Sequence, residues 1–578
     1  MQDAGAAARK ALVDAAIFYV PDGYDTAGRQ LMGRRAAGEA FLRALARNDD
    51  RRPLNCCAPD AEAFADFQRR VAGFGGPVRA ARFIPVADRA GLGGVGTLFY
   101  PGPDIARLAW YRAGGDPSGY SVVGITHTTA SHGAMDNLLA LGQGGVEAWD
   151  AVICTSRAVR QTVDQVLGVA HEQARARGES PRPPAVRLPV IPLGVDCAGL
   201  APGADAPSHR ARFRGRLGIG ADDLVVLSLA RTSYHGKAHP LPMYLALQAV
   251  AQRPGRTAAV HLLQVGWFAN EAIEQHFRAA AKALCPDVTV HFVAGTEPDV
   301  RRNVWHAADI FCLMSDNIQE TFGLAPVEAM AAGLPVVATD WDGFRDTVRH
   351  GVDGFMARTA MPGPGAGEDL ALRHDLGVDS YDRYIGGVSQ TTAVSLGDAI
   401  AGFSALADNP DLRRTMGASG QERARTVFDW PVVIDQYRAL WAELADRRAR
   451  TDAPPASPRP PFPPPHPVNP ARDDPYRLFA GYPTVPLTPE TRMRTTPGMG
   501  PRNLQQRSAL AMNSFSAAIL PAAAGLDAML RCIGRPGDHK AADAIAAAAV
   551  PVPLGLRGLG WLAKMGLAQI GDGNGGWM

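Results

Sequence analysis

Long apolar runs are the first thing this chain lacks. Its most apolar stretches, residues 508–530 and 550–570, are interrupted by Pro521, Asp527, Arg557 and Lys564, so no membrane-spanning helix is expected. The opening segment MQDAGAAARKALVDAAIFYVPDGYD has neither the apolar core nor the small-residue cleavage site of a signal peptide, which points to a cytoplasmic protein. An excess of one charge is also missing. With 59 basic and 57 acidic residues the formal net charge is +2, too weak a field to argue for nucleic acid as a partner. The seven cysteines, Cys56, Cys57, Cys154, Cys197, Cys285, Cys312 and Cys532, form no C-x-x-C and pair with no histidine at metal spacing. That excludes a disulfide framework and a zinc site of ordinary pattern, and suits a reducing compartment. Lysine is scarcest of all: only Lys10, Lys237, Lys282, Lys540 and Lys564 occur, arginine supplying every other basic residue. A lysine at a motif position is therefore more informative than usual.

What is present is alternation. At 578 residues the chain exceeds what one core organises, and two or three domains are expected. Between Ala15 and Cys197 short apolar runs (AAIFYV, VVGITH, AVICTS, VRLPVIPLGV) alternate with helical stretches such as GRQLMGRRAAGEAFLRALAR. A second series then begins, with LVVLSLA, AVHLLQVG, VTVHFVAG, DIFCLMS and PVVATD as strands. Such alternation predicts α/β units built on parallel sheets with crossover helices, and two of them facing each other would hold ligands in the cleft beyond the carboxyl ends of their strands. The expected boundaries are residues 1–205 for the first domain and 206–449 for the second. Residues 450–475 are Pro-rich and read as a linker, and 476–578 as a small helical appendix.

One segment concentrates chemistry: SDNIQETFGLAPVEAMAAGLPVVATD, residues 315–340. After the strand DIFCLMS a loop carries Glu320. Pro326 sits where a helix starts, Glu328 is expected in its first turn, and Gly333 ends it. Between the two glutamates the backbone amides of Thr321, Phe322, Gly323 and Leu324 lead into a helix N-terminus, a ready site for a diphosphate. Carboxylates beside a diphosphate need neutral partners, and a vicinal diol is a good one. A nucleotide sugar offers diols at both ends.

Glu320 and Glu328 in E-x(7)-E, with FGL between them and EAMAAGLPVVA after them, resemble the retaining GT-B glycosyltransferases of the large group 1, or family 4-like, set. The resemblance implies two doubly wound Rossmann-like domains, with Glu328 on the ribose hydroxyls and Glu320 positioning the donor sugar. LVVLSLARTSYHGKAHP is similar to the family's strand with an Arg and a basic residue after it, which makes Arg231 and Lys237 the expected clamp on the donor phosphates, although five residues rather than four separate them. His127, at the end of VVGITH, occupies a place where the family often has a histidine near the sugar; a hydrogen-bonded structural histidine is the equal alternative. Residues 428–444 look like the closing helix that returns to the first domain.

The resemblance thus implies a hexosyl transfer from a nucleotide-diphosphate sugar to a hydroxyl of a carbohydrate, lipid-linked or small-molecule acceptor, with Glu320, His127, Arg231 and Lys237 as the catalytic set. It implies retention at the anomeric carbon, no metal and no cofactor besides the co-substrate. Polysaccharide or glycolipid synthesis is the family's commonest role. For the acceptor, only Gly23 and Gly28 of the loop PDGYDTAGRQLMG offer themselves. The alternatives are a noncatalytic nucleotide-sugar-binding or assembly protein, and another GT-B enzyme such as an epimerase. Two segments stay open: residues 359–393, expected to decorate the surface rather than cover the cleft, and VPVPLGLRGLGWLAKMGLAQI, either a peripheral membrane contact with Trp561 at the interface or ordinary helical packing.

Overall fold

A computed structural model of the chain describes residues 14–24, 33–48, 52–75, 78–113, 116, 118–142, 145–181, 183–295, 298–450, 474–515, 517–573 and 575–578. They divide between two compact units. The first comprises the described residues of Met1–Asp196 and Thr426–Ala471, the second those of Cys197–Arg425 and Arg472–Met578. The predicted linker 450–475 lies almost wholly outside the described residues.

In the first unit six parallel strands, β1 (Ala16–Phe18), β2 (Leu54–Ala58), β3 (Ala81–Pro85), β4 (Thr97–Phe99), β5 (Ser121–Ile125) and β6 (Ala151–Ile153), lie in the order β3-β2-β1-β4-β5-β6. In the second, β7 (Leu224–Leu229), β8 (Val260–Gly266), β9 (Val288–Ala294), β10 (Ile310–Leu313), β11 (Val336–Thr339) and β12 (Gly354–Ala357) lie in the order β12-β11-β10-β7-β8-β9. These are the same topology: each chain half winds outward, returns to the middle and winds the other way. Both units are doubly wound and Rossmann-like, the pair of units that the GT-B fold class comprises. β5, β10 and β11 are buried along their whole length, as strands covered by helices on both faces must be.

The expected strands of the second series are found as read. In the first, VRLPVIPLGV forms only isolated bridges, Arg187 to Ala151, Val190 to Cys154 and Val195 to Asp429, because its two prolines remove ladder donors.

Helices α1 (Leu324–Ala331), α2 (Tyr381–Gln390) and α4 (Val552–Lys564) belong to the second unit, and α3 (Trp430–Ala449) to the first. α3 is capped by Asp429 and begins with a proline at its first turn. It buries Trp430, Val433, Ile434, Tyr437, Leu440, Trp441 and Leu444, an i, i+3, i+4 stripe. That stripe packs in the first unit, with the Tyr437 ring 5.1 Å from Phe41 and Arg448 donating to the Gly96 carbonyl at 2.9 Å.

Two expectations need correcting. Residues 476–578 are not an appendix. Their strand β15 (Val485–Leu487) pairs with β13 (Thr359–Pro362), which also pairs with β14 (Ala393–Val394). A further sheet joins β16 (Arg492–Thr495), β17 (His539–Lys540) and β18 (Ala568–Ile570). The segment 359–393 is likewise no surface decoration: every residue of β13 and all of Tyr384–Gln390 in α2 are buried. Its apolar positions and those of the C-terminal segment cover each other, which is why neither looks like a core when read alone.

The same packing settles α4. Every residue from Gly555 to Lys564 is buried, and Trp561, 2% exposed, donates its indole N–H to the Asn513 carbonyl at 3.1 Å. Its aromatic ring lies inside the unit, not at an interface with lipid. Among the described residues no single helix is long and apolar enough to cross a membrane; Ala541–Ala548 and α4 would be so only together, and they are bent by 111°.

Candidate active site

In doubly wound sheets the ligand site lies where the winding reverses, because there the loops after two adjacent central strands diverge. In the second unit that place is between β7 and β10. The loop after β7 carries Arg231 and Lys237, and the loop after β10 carries Glu320. The topology thus brings together residues about 85 positions apart in the chain.

Lys237 Nζ lies 2.5 Å from Glu320 Oε2, in side chains 26% and 11% exposed. Arg231 Nη2 donates to Gln319 Oε1 at 2.7 Å and to the Gly236 carbonyl at 2.6 Å. Gln319 in turn donates from Nε2 to the Tyr381 hydroxyl at 2.8 Å. Gln319 and Tyr381 were not among the sequence candidates. The first is the immediate neighbour of Glu320 and could have been suspected from that alone; the second sits in the segment 359–393 and has no local signal.

Three consecutive residues fasten one loop to the other. Ser315 Oγ donates to the Lys237 carbonyl at 2.9 Å, Asp316 Oδ1 accepts from the His239 amide at 3.3 Å, and Asn317 Nδ2 donates to the His235 carbonyl at 2.8 Å. From the other side Thr339 Oγ1 donates to the Ser315 carbonyl at 2.6 Å and Trp341 Nε1 to the Asn317 carbonyl at 3.1 Å. The His235 ring stacks on Phe515, centroids 4.8 Å apart, and its hydrogen bond holds the Asp382 carboxyl below the usual carboxylate range. Behind the two loops the remaining cavity is only about 30 Å³, lined by Arg231, Lys237, His239 and Gln264 among others, room for about one water. A larger cavity of about 540 Å³ lies beside Arg345, Arg349 and Arg358, but each of these is paired with a carboxylate, Asp340, Asp353 and Asp398 respectively.

Thr321 and Phe322 are buried, and Gly323 is the N-cap of α1 with φ +92°. A Cβ there would sit 2.3 Å from the Phe344 ring, so glycine is required twice over, for the backbone angle and for the space. Because the helix begins at Leu324, Glu328 is its fifth residue and stands in the second turn, not the first as expected; it is half-buried. The positive φ of Gly323 starts the helix two residues ahead of Pro326, so the first-turn amides of Leu324 and Ala325, which have no acceptor within the helix, are available to an anion.

His127 and Gly23 belong to the first unit. His127 is half-buried two residues beyond β5, and Gly23 closes a short 3-10 turn, Pro21–Gly23. Gly28 lies outside the described residues. Among the described residues no three of His, Cys, Asp and Glu are grouped so as to hold a metal ion.

Among curated proteins, the chain is 28% identical over 294 residues to a D-inositol 3-phosphate glycosyltransferase of Geodermatophilus obscurus, covering 50% of this chain and 60% of that one. It is 27% identical over 238 residues to the protein so named from Nocardia farcinica, covering 41% and 50%. The chain thus spans between half and three fifths of the length of these relatives. Among solved structures, the Anabaena protein HepE in complex with UDP aligns over 74% of this chain and 99% of its own, with a TM-score of 0.47 and 17% identity. Residues 209–361, the part of the second unit that holds Arg231, Lys237, Glu320 and Glu328, match the family model of the glycosyl transferases group 1.

Proposed function

We propose that this protein is a retaining glycosyltransferase that moves a hexosyl group from a nucleotide-diphosphate sugar to a hydroxyl acceptor. The single observation that carries the proposal is the convergence of Arg231, Lys237 and Glu320 at the winding reversal of the second unit. The family match over residues 209–361 supports it.

A carboxylate next to a diphosphate is repulsive, and Lys237 resolves the conflict. Before donor binding its ammonium is balanced by Glu320. On binding it turns to the diphosphate, and Glu320 is left to accept from the hydroxyls of the sugar. Arg231, aimed by Gln319, and the amides of Leu324 and Ala325 add donors to the same phosphates. These groups stabilise the charge that develops on the departing nucleoside diphosphate as the anomeric bond breaks, with no metal required. Glu328 takes the ribose hydroxyls. The acceptor is a carbohydrate, a lipid-linked sugar or a phosphorylated polyol such as the inositol 3-phosphate that names the relatives. A cytoplasmic setting suits both a soluble nucleotide sugar and the seven buried thiols.

The test is a donor panel. Purified protein treated with a chelator is incubated with UDP-, GDP- and ADP-sugars, with and without inositol 3-phosphate or a cell extract, and nucleoside diphosphate release and product mass are measured. Release from one donor, stimulated by acceptor and retained in chelator, is expected. Protein that binds these donors yet releases nothing from any of them would sink the transferase proposal, and a β-linked product from an α-donor would sink retention.

A further inference from the structure

The loops that carry Arg231, Lys237 and Glu320 hold one another through Ser315, Asp316 and Asn317. Of these three only Asp316 is a charge, and it is fully buried. A buried carboxylate without a partner is costly, and the partner here comes from 248 positions away: Lys564 Nζ, on the last turn of α4, donates to Asp316 Oδ2 and to the Thr392 carbonyl at 3.3 Å. Both side chains of the pair are fully buried. The other Asp316 oxygen accepts from Ser389 Oγ of α2 at 2.9 Å and from the His239 amide at 3.3 Å. Four parts of the second unit therefore meet on one carboxylate: both site loops, α2 and α4.

The surroundings are built for this contact. Gly560 of α4 lies against the Thr391 carbonyl, where a Cβ would be 2.4 Å from the oxygen, so the helix comes close enough for Lys564 to reach inward. In a chain whose basic residues are nearly all arginine, the one at this point is a lysine, a compact charge that fits where a planar guanidinium fork would not. Burial pushes the Asp316 carboxyl up and the Lys564 ammonium down from their ordinary values, their mutual attraction opposing both, and His239 beside them is held neutral by burial and then by the charge of Lys564.

We propose that Lys564 is a positioning residue of the donor site: by holding Asp316 it fixes the two loops in the register that lets Arg231 and Lys237 meet the donor phosphates beside Glu320. The consequence for nucleotide binding rests on the proposed transferase function; the consequence for loop order does not. Residues 472–578 are then a structural part of the donor unit, remote in sequence and integral in space.

The experiment uses the full chain with Lys564→Met, Asp316→Asn and the double variant, and reads amide hydrogen exchange, thermal melting and calorimetric titration with UDP, GDP and ADP. In Lys564→Met, exchange is expected to speed up in residues 231–239 and 315–320 while β8 and β9 keep their protection. Nucleotide affinity, measured well below the melting temperature, is expected to fall by about 10- to 100-fold. In the double variant, where an amide faces a thioether and no charge is stranded, the melting temperature is expected to recover most of its loss while loop exchange stays fast and affinity stays low, because the tie from α4 is still missing. Unchanged exchange in both loops of a folded Lys564→Met protein would overturn the positioning role, as would a lowered melting temperature with wild-type affinity. If Lys564→Met does not fold, the double variant decides: loop exchange as fast as in Asp316→Asn alone is expected, and wild-type loop protection would count against the proposal. Wild type that binds none of the three nucleotides would instead overturn the proposed function, leaving the exchange result to stand on its own.

Discussion

Glu320 and Glu328 stand in different surroundings, and that difference underlies the separate roles proposed for them. Glu320 holds the Lys237 ammonium at 2.5 Å, whereas Glu328 stands in the second turn of α1. Glu320→Gln removes the anion that competes with a diphosphate for Lys237. We therefore expect free nucleoside diphosphate to bind Glu320→Gln at least as tightly as wild type, while donor turnover falls steeply. Glu328→Gln is expected to weaken nucleotide binding instead. Equal losses of nucleotide affinity in both, measured by calorimetry, would refute this division. Lys237→Met is the complementary case, since Glu320 would then face the diphosphate uncompensated. A lost charge-assisted contact is worth about 1.5–3 kcal/mol, so affinity should fall by about 10- to 100-fold. Wild-type affinity in Lys237→Met would mean that this lysine is only a loop charge. At this scale the motif residues were legible because each stands in a short, continuous pattern. Gln319, Asp316 and Tyr381 were not: their importance lies in what they touch across the fold, and a partner 62 or 248 positions away leaves no mark in a local window.

At the scale of elements, legibility tracked strand length and burial. Five of the six strands of the second sheet read clearly because they are apolar runs bounded by turn residues, whereas β12, the four residues GFMA, did not. β2, β3 and β4 escaped notice: LNCCA and ARFIP carry polar residues, β3 burying only Ile84, and TLF is three residues long. Periodicity needs more residues than these strands have. α1 was legible as a helix but not in its starting point, since a glycine N-cap with positive φ is not a pattern that composition reveals. Gly323 gives that start a measurable consequence. Gly365 has nearly the same φ, +93°, with nothing within 4 Å of an added Cβ, whereas at Gly323 the Cβ would meet Phe344. Gly365→Ala should therefore cost only the backbone term, about 1–2 kcal/mol. Gly323→Ala should add an overpacking cost of about 1–3 kcal/mol and weaken nucleotide binding as well. Urea unfolding of the two variants makes the comparison, and equal losses would show that the Phe344 ring yields freely.

At the scale of the whole molecule, the Pro-rich stretch after Arg450 was the misleading feature. Such composition punctuates a chain and suggests that the residues beyond it form a separate body, yet 474–578 completes the second unit through β15 and α4. Each unit holds an ion pair whose two side chains are fully buried, and the two pairs do different work. In the first unit Arg112 and Asp150 are both fully buried; Arg112 Nη2 donates to Asp150 Oδ2 at 2.7 Å and Nη1 to the Tyr120 carbonyl at 2.9 Å. Asp150 also accepts from the amides of Val122 at 2.8 Å and Glu147 at 2.9 Å, so it ties β5 to the turn before β6. Removing the arginine strands a carboxylate in the core, at a cost of about 3–5 kcal/mol. Arg112→Ala should therefore unfold at much lower urea, while the protein that remains folded binds nucleoside diphosphate with wild-type affinity, because no loop of the donor site leans on this pair. Lys564→Met breaks a pair of the same kind in the second unit and should lose stability and affinity together. If Arg112→Ala also lost affinity in its folded state, the donor site would depend on the first unit in a way that the contacts within the second do not account for, and the assignment of nucleotide binding to the second unit alone would have to be given up.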